Sequence, residues 1–195
     1  MTKAEGPTSA LRSESGRAPE IVAETERLVL RRFVLDDAPF IARLLNEPGF
    51  LRYIGDRGVR TVDDARSYLE REALESYRVN GFGLFAVELK TDWTTIGACG
   101  LLRRPWLEAP DLAYAFLASA EGFGYASEAA RAVLDLAWST LALERVVAIV
   151  LPDHAASTRI LEKLHFQGTG SVTDPRSGEE LALFRVSRDE REPAK

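Results

Sequence analysis

The sequence predicts an α/β protein: one mixed, mostly antiparallel sheet with splayed strands and flanking helices on both faces. Three observations carry that prediction. Residues 82–89 and 94–103 are extended runs joined by the short segment 90–93, the pattern of a hairpin. Residues 111–151 read as strand, glycine-containing turn, helix and strand, which is a crossover connection. Residues 145–151 are almost continuously apolar, as in a strand buried on both faces.

The remaining elements follow in chain order. Residues 1–20 mix Gly, Pro, Ser and scattered charge and read as a disordered tail. A single domain is expected over 21–187, followed by a charged tail at 188–195. RLVLRRFV at 27–34 is β-rich. Asp36 and Asp37 open a helical pattern through Phe40, Ile41, Leu44 and Leu45. Pro39 fits its first turn, and Pro48-Gly49 stops it. Thr61 and Asp64 have the spacing of a capping box. Val62, Ala65, Leu69, Ala73 and Tyr77 then recur at helical spacing until Asn80-Gly81. After the hairpin and the strand at 111–117, Gly122 and Gly124 lead into a helix with Ala126, Ala130, Val133, Leu134, Ala137 and Leu141 on one face. Pro152-Asp153 opens a short helix through Ile160, Leu161 and Leu164. A final hairpin spans 166–173 and 181–186 around the turn 174–178.

Composition narrows the chemistry. The chain has 195 residues, with 25 basic against 30 acidic side chains and a formal charge of −5. It has one cysteine, Cys99, and two histidines, His154 and His165. A disulfide within the chain is excluded, and the Cys and His inventory is too thin for a zinc site, so no metal is expected. A mildly acidic chain is a poor partner for nucleic acid. No apolar run reaches the roughly 18–20 residues that span a bilayer, and the N-terminus lacks the apolar stretch of a secretory signal. The expectation is a cytoplasmic protein with no membrane or nucleic-acid partner.

The informative turn is Gly122-Phe123-Gly124, between a strand and a helix. Glycines let backbone approach a ligand, and a helix start offers unpaired N–H groups with positive dipole. Two readings fit this pattern, a phosphate cradle and a plain tight turn. No GxxxxGK[ST] is present, and Ser127 stands where the third glycine of GxGxxG belongs.

Four motifs in order extend the reading over about residues 24–187: TERLVLR at 25–31, DLAYAFL at 111–117, GFGYASEAA at 122–130 and LPDHAASTRILEKLHF at 151–166. Together they resemble the GNAT superfamily of acyl-CoA-dependent N-acyltransferases, nearest the branch of ribosomal-protein alanine N-acetyltransferases (RimJ/RimL-like). The resemblance implies that the glycine turn binds the pyrophosphate of acetyl-CoA. The backbone would come from Gly122, Phe123, Gly124, Tyr125 and Ala126, with Ser127 at the helix start. It implies that the pantetheine arm pairs with the strand near Phe116, Leu117 and Ala118, and that His154 and Ser157 flank the cofactor. Asp111 stands where this family places a glutamate base, and Ser157 is positioned to hydrogen-bond the thioester oxygen or the departing sulfur. The acceptor is an amine, a peptide N-terminus or a small molecule, taken near residues 50–60 and 171–178. Either a monomer or a homodimer is compatible.

Several positions depart from the family pattern. Glu121 and Phe123 stand where cations are common, and no Lys or Arg occurs between Ser119 and Glu128. Backbone dipoles would then do the anchoring, helped by Arg131 or Arg159. Leu161 replaces the common tyrosine acid, His154 an asparagine and His165 a glycine. Ordinary roles compete at each site. Asp111 would be a solvated strand-end carboxylate, Ser157 a first-turn serine bonded to backbone, and His154 either a proton shuttle or an exposed helix-start residue. Cys99 reads as a small buried side chain, and Trp106 as the tryptophan nearest the substrate. Two alternatives stay open: a catalytically degenerate acyl-CoA-binding or sensor protein, and a nicotinamide-dinucleotide oxidoreductase. The late position of the turn and the missing glycine weigh against the second.

Overall fold

The computed structural model describes residues 19–191. The tail segments 1–18 and 192–195 lie outside the described residues. Glu20 is already tied to the fold: its carbonyl accepts from the Arg32 N–H at 2.8 Å, and its carboxylate pairs with the Arg32 guanidinium at 3.3 Å. At the other end, Arg188–Arg191 form a 3-10 turn, and the Arg188 N–H donates to the Glu144 carbonyl at 3.0 Å.

Eight strands form one sheet: β1 (Ile21–Glu24), β2 (Leu28–Arg32), β3 (Leu84–Leu89), β4 (Thr95–Leu102), β5 (Asp111–Phe116), β6 (Arg145–Val150), β7 (Gln167–Thr173) and β8 (Glu180–Ser187). Across the sheet they stand in the order β1-β2-β3-β4-β5-β6-β8-β7. Every neighbouring pair is antiparallel except β5 and β6. β1 was not anticipated as a strand, because four residues ending in a charge carry too little alternation to read.

The helical layer between β2 and β3 comprises α1 (Ala38–Leu44), α2 (Pro48–Tyr53), α3 (Val62–Tyr68) and α4 (Glu75–Asn80). Pro48 does more than end α1. It occupies the first turn of α2, where its missing N–H costs nothing. The capping box at Thr61 is present: Thr61 Oγ1 accepts the Asp64 N–H at 3.1 Å, and Asp64 Oδ2 accepts the Thr61 N–H at 2.9 Å. Between α3 and α4 the backbone runs through a π-helical stretch, Leu69–Leu74, which turns Tyr68 and Ala73 toward the interior groove. Val62, expected on the apolar face, is exposed at the helix start. Gly81 ends the run with φ 77°, the left-handed C-terminal cap that glycine adopts without strain.

The crossover is β5, then α5 (Tyr125–Ser139), then β6. Ala129, Ala130, Val133, Leu134 and Ala137 are buried, and α5 packs on β1, β2, β4 and β5. α6 (Ala155–Lys163) follows β6 and buries Ser157 and Leu161. The central residues of β6, Val146, Val147 and Ala148, are buried as its apolar sequence predicts. β5 and β6 nevertheless share a single register pair, Asp111 with Val147. Beyond it the two strands diverge, while β4–β5 and β6–β8 stay fully paired on either side.

Candidate active site

The wedge between β5 and β6 organises the site. On the β4 side, the Leu117 N–H bonds the Ile96 carbonyl at 2.9 Å, and Gly97 stands opposite Phe116. Bonded and non-bonded pairs alternate along an antiparallel ladder, so the amides of Phe116 and Tyr114 point away from β4 and into the wedge. They offer a free edge to an extended ligand. Leu117 spends its N–H on β4, so of the three residues expected to receive an arm it is the one whose amide is taken; Phe116 faces the wedge and Ala118 opens a 3-10 turn.

At the wide end, Ala118–Ala120 lead to Glu121 and then to Gly122 and Gly124, with φ of 83° and 80°. A side chain at either glycine would be strained, and nothing lies within 4 Å of a Cβ built at Gly122. The turn is open on that face. Gly124 caps α5 without a side-chain hydrogen bond, and the first intrahelical bond is the Glu128 N–H to the Gly124 carbonyl. The N–H groups of Tyr125, Ala126 and Ser127 therefore remain available at the positive end of a 15-residue helix. Arg27, from the turn between β1 and β2, ties this loop down. Its Nη1 donates to the Phe123 carbonyl at 3.0 Å and its Nε to Glu128 Oε2 at 2.7 Å.

At the narrow end sits Asp111, 1% exposed. Arg104 Nε donates to its Oδ2 at 2.6 Å, while Oδ1 has no hydrogen-bond partner among the described residues. Burial pushes the carboxyl up to about 6, opposed by the Arg104 charge and hydrogen bond and by the nearby Ile149 N–H, which approaches without closing a well-formed bond to Oδ1. A solvated strand-end carboxylate is thus excluded.

Between the two ends, Tyr114 reaches from β5 to α6. Its Oη lies 2.8 Å from Ser157 Oγ, and it donates at 3.3 Å to the Ser157 carbonyl. Burial raises the Tyr114 phenol above its usual value, with the Ser157 hydrogen bond opposing. Asp111 and Ser157 do not touch; Tyr114, three residues along β5 from Asp111, links their surroundings. Sequence reasoning passed over Tyr114, although alternation within DLAYAFL places it on the face of Leu112 and Phe116, opposite Asp111. His154 is half-buried at the N-cap position of α6. Its ring stacks on Tyr53 of α2, with centroids 3.8 Å apart and 4° between planes. Burial lowers its pKa, opposed by Asp153 and Glu121, so the ring is neutral at pH 7. Arg52 pairs with Asp153 at 3.4 Å beside it.

The other singled-out residues have structural roles. Leu161 is a core side chain and Cys99 is fully buried with its thiol pushed up by burial. His165 has φ 65° past the end of α6, which explains why a glycine suits that position. Trp106 packs beside Leu107, Ala109 and Val147 rather than lining the groove. That groove runs between the early helices and β3–β5. Phe33, Phe50, Tyr68, Arg57, Arg104 and Tyr114 are among its walls. Among the described residues no cluster of three His, Cys, Asp or Glu side chains could hold a metal, and no helix is long and apolar enough to cross a membrane.

Comparison with known proteins gives this geometry a context. Residues 27–167 match the family model described as acetyltransferase (GNAT) domain. The uncharacterized N-acetyltransferase p20 of Bacillus licheniformis is 28% identical over 152 residues, which cover 77% of this chain and 84% of that protein. The crystal structure of the acetyltransferase from Agrobacterium tumefaciens superposes with a TM-score of 0.72 at 25% identity, covering 85% of this chain and 94% of that one. RimL, a ribosomal L7/L12 α-N-protein acetyltransferase solved in complex with coenzyme A, superposes with a TM-score of 0.74 over 88% of this chain and 99% of its own. Its identity is 17%, so that likeness is one of fold.

Proposed function

The chain belongs to the GNAT acetyltransferase family and is an acyl-CoA-dependent N-acetyltransferase with acetyl-CoA as co-substrate, and from that premise we propose that it acetylates a primary amine, a peptide N-terminus or a small molecule, by direct attack in a ternary complex. The observation that carries this is the wedge between β5 and β6, which ends in a glycine turn on an open helix N-terminus. An open strand edge on β5 that leads to a helix N-terminus suits an extended thioester arm with a diphosphate at one end. The diphosphate takes the N–H groups from Gly122 to Ala126 and Ser127, where backbone dipoles act at no reorganisation cost. The arm pairs with Phe116 along β5 and passes Leu117, Ala118 and the start of α6.

Asp111 is the base. A free aspartate, near 3.9, lies about four units below an α-amine of 7.7–8.0, whereas a carboxyl at about 6 lies about two below it. Oδ1 takes the proton, directly or through one water, while Arg104 holds Oδ2. The amine nitrogen bonds to the thioester carbon, the carbon–sulfur bond breaks, and the departing sulfur gains a proton. Ser157, oriented by Tyr114, donates a hydrogen bond to the thioester oxygen or the sulfur as charge develops there. A thiol pKa near 8.5 makes the last protonation an easy step for solvent. His154, stacked and neutral, lines the arm and carries no proton in this scheme.

The test is acetyl transfer from acetyl-CoA to a panel of peptides and small amines, followed by thiol release. Turnover of one class over the others supports the reading. Thermal stabilisation by acetyl-CoA with no reactive acceptor anywhere in the panel overturns the transfer step.

A further inference from the structure

The loop from Ser119 to Glu128 brings two carboxylates, Glu121 and Glu128, and no cation to a place where a doubly charged anion must lie. Glu128 sits in the first turn of α5. Left alone it would repel the anion. It is not alone. Its Oε1 accepts from Thr25 Oγ1 at 2.5 Å and the Arg27 N–H at 3.1 Å, and its Oε2 pairs with Arg27 Nη2 at 2.5 Å and Nε at 2.7 Å. The same guanidinium holds the Phe123 carbonyl through Nη1 and lies 4.7 Å over the Tyr125 ring. Its Nη2 stands 3.8 Å from where a Cβ on Gly124 would be, beside the face the glycine leaves open. The Arg27 side chain is still 44% exposed. A guanidinium has five N–H donors, and these contacts engage one on each nitrogen, leaving one on Nη1 and one on Nη2. Arg131 and Arg159 are exposed and make no hydrogen bond to the loop among the described residues.

We propose that Arg27 is the cation of the diphosphate subsite. It is a binding residue delivered from the β1–β2 turn, clamped by Glu128 and the Phe123 carbonyl so that its charge offsets Glu128 and its remaining N–H groups meet the anion. This rests on the reading of the glycine turn as the diphosphate cradle. A plain structural strut would use the same ion pair but would be indifferent to the ligand's charge.

The experiment titrates the full chain by NMR with two probes, coenzyme A and pantetheine, which keeps the arm and lacks the diphosphate. The parent is compared with R27M, R27Q, E128Q and R27M/E128Q. The parent binds coenzyme A more tightly than pantetheine. R27M weakens coenzyme A about 10–100-fold and leaves pantetheine within about twofold. Adding E128Q to R27M recovers at least half of that loss on a logarithmic scale, because it removes the carboxylate left uncompensated. R27Q, which keeps a donor for the Phe123 carbonyl and drops the charge, shows the same selective loss and serves if R27M does not fold. Equal weakening of both probes in R27Q, or no recovery in the double variant, overturns the proposal. A parent that fails to distinguish the two probes overturns the cradle reading instead.

Discussion

Two arginine–carboxylate sets hold buried carboxylates at this sheet, and they are built to opposite ends. Arg31 on β2 is 3% exposed and meets Asp37 through two parallel bonds of 2.8 and 2.7 Å and Glu88 on β3 at 2.8 Å. Asp37 also accepts the Val34 N–H at 2.9 Å. One cation faces two anions, and although burial opposes the charge, these bonds raise the Arg31 pKa. The second set gives Asp111 a single side-chain bond, from Arg104, and its other oxygen has only the Ile149 N–H nearby, with no well-formed hydrogen bond. Both sets are dry. The first is saturated and fixes how α1 joins the sheet. The second holds an unfilled acceptor at the closed end of a wedge. Under the mechanism proposed above, the unfilled oxygen is what would let Asp111 take a proton where Asp37 and Glu88 do not.

The sharpest way to break that contrast is to neutralise each set in turn. Asp111→Asn lowers kcat by about 10²–10⁴-fold, the usual worth of a general base, while the Kd for acetyl-CoA stays within a few-fold. Unchanged turnover would reduce Asp111 to a second strut. Arg31→Met strands two buried carboxylates and costs about 3–5 kcal/mol of unfolding free energy in denaturant melts, with the pH profile of turnover in the folded fraction unmoved.

The acid limb sharpens the same point. The folded Asp111 carboxyl lies at about 6 against an ordinary 3.8, so the native state binds the extra proton. Stability from this group is therefore full below about pH 4 and lost as pH rises through about 6. Melts of Asp111→Asn should gain on the parent across that window, by on the order of 3 kcal/mol. The kcat/KM of the parent rises over the same range. A stability difference flat from pH 4 to 7 would contradict the assignment.

Smaller effects test the middle of the wedge. Tyr114→Phe frees Ser157 Oγ to reorient and lowers kcat about tenfold, equivalent to the loss of one buried hydrogen bond. Its Kd for acetyl-CoA changes less than its kcat. Smallest is the Tyr53–His154 stack: a double-mutant cycle to alanine in thermal melts should return about 0.5–1.5 kcal/mol of coupling. A null coupling would show that α2 and α6 are held by Arg52 and Asp153 instead.

Local features were legible in the sequence. The Thr61–Asp64 box, the Gly81 cap and the Gly122–Gly124 turn declare themselves because each is decided within four residues. The motif order then placed Asp111 and Ser157 at one wedge. Long-range partners had no such signature. Arg27 meets Glu128 across 101 positions and Tyr114 meets Ser157 across 43, separations that no periodicity encodes. Arg104 lay seven residues from Asp111 in a loop of mixed charge, where nothing distinguished it from Arg103. Burial of Asp111 was equally hidden, since a strand-end carboxylate is ordinarily wet. The π-helical stretch at Leu69–Leu74 left no mark either, because its residues are ordinary helix formers.

The lone register pair between β5 and β6 has a mechanical consequence. It makes the sheet two leaves bound along one spine, β1 to β5 on one side and β6, β8 and β7 on the other. Leaves that swing about a spine move most at their outer margin and least at the binding itself. Asp111 is stitched into the binding, and the glycine turn rides the margin. A change in opening angle would then widen the glycine-turn end of the wedge while leaving Asp111 and Val147 in register.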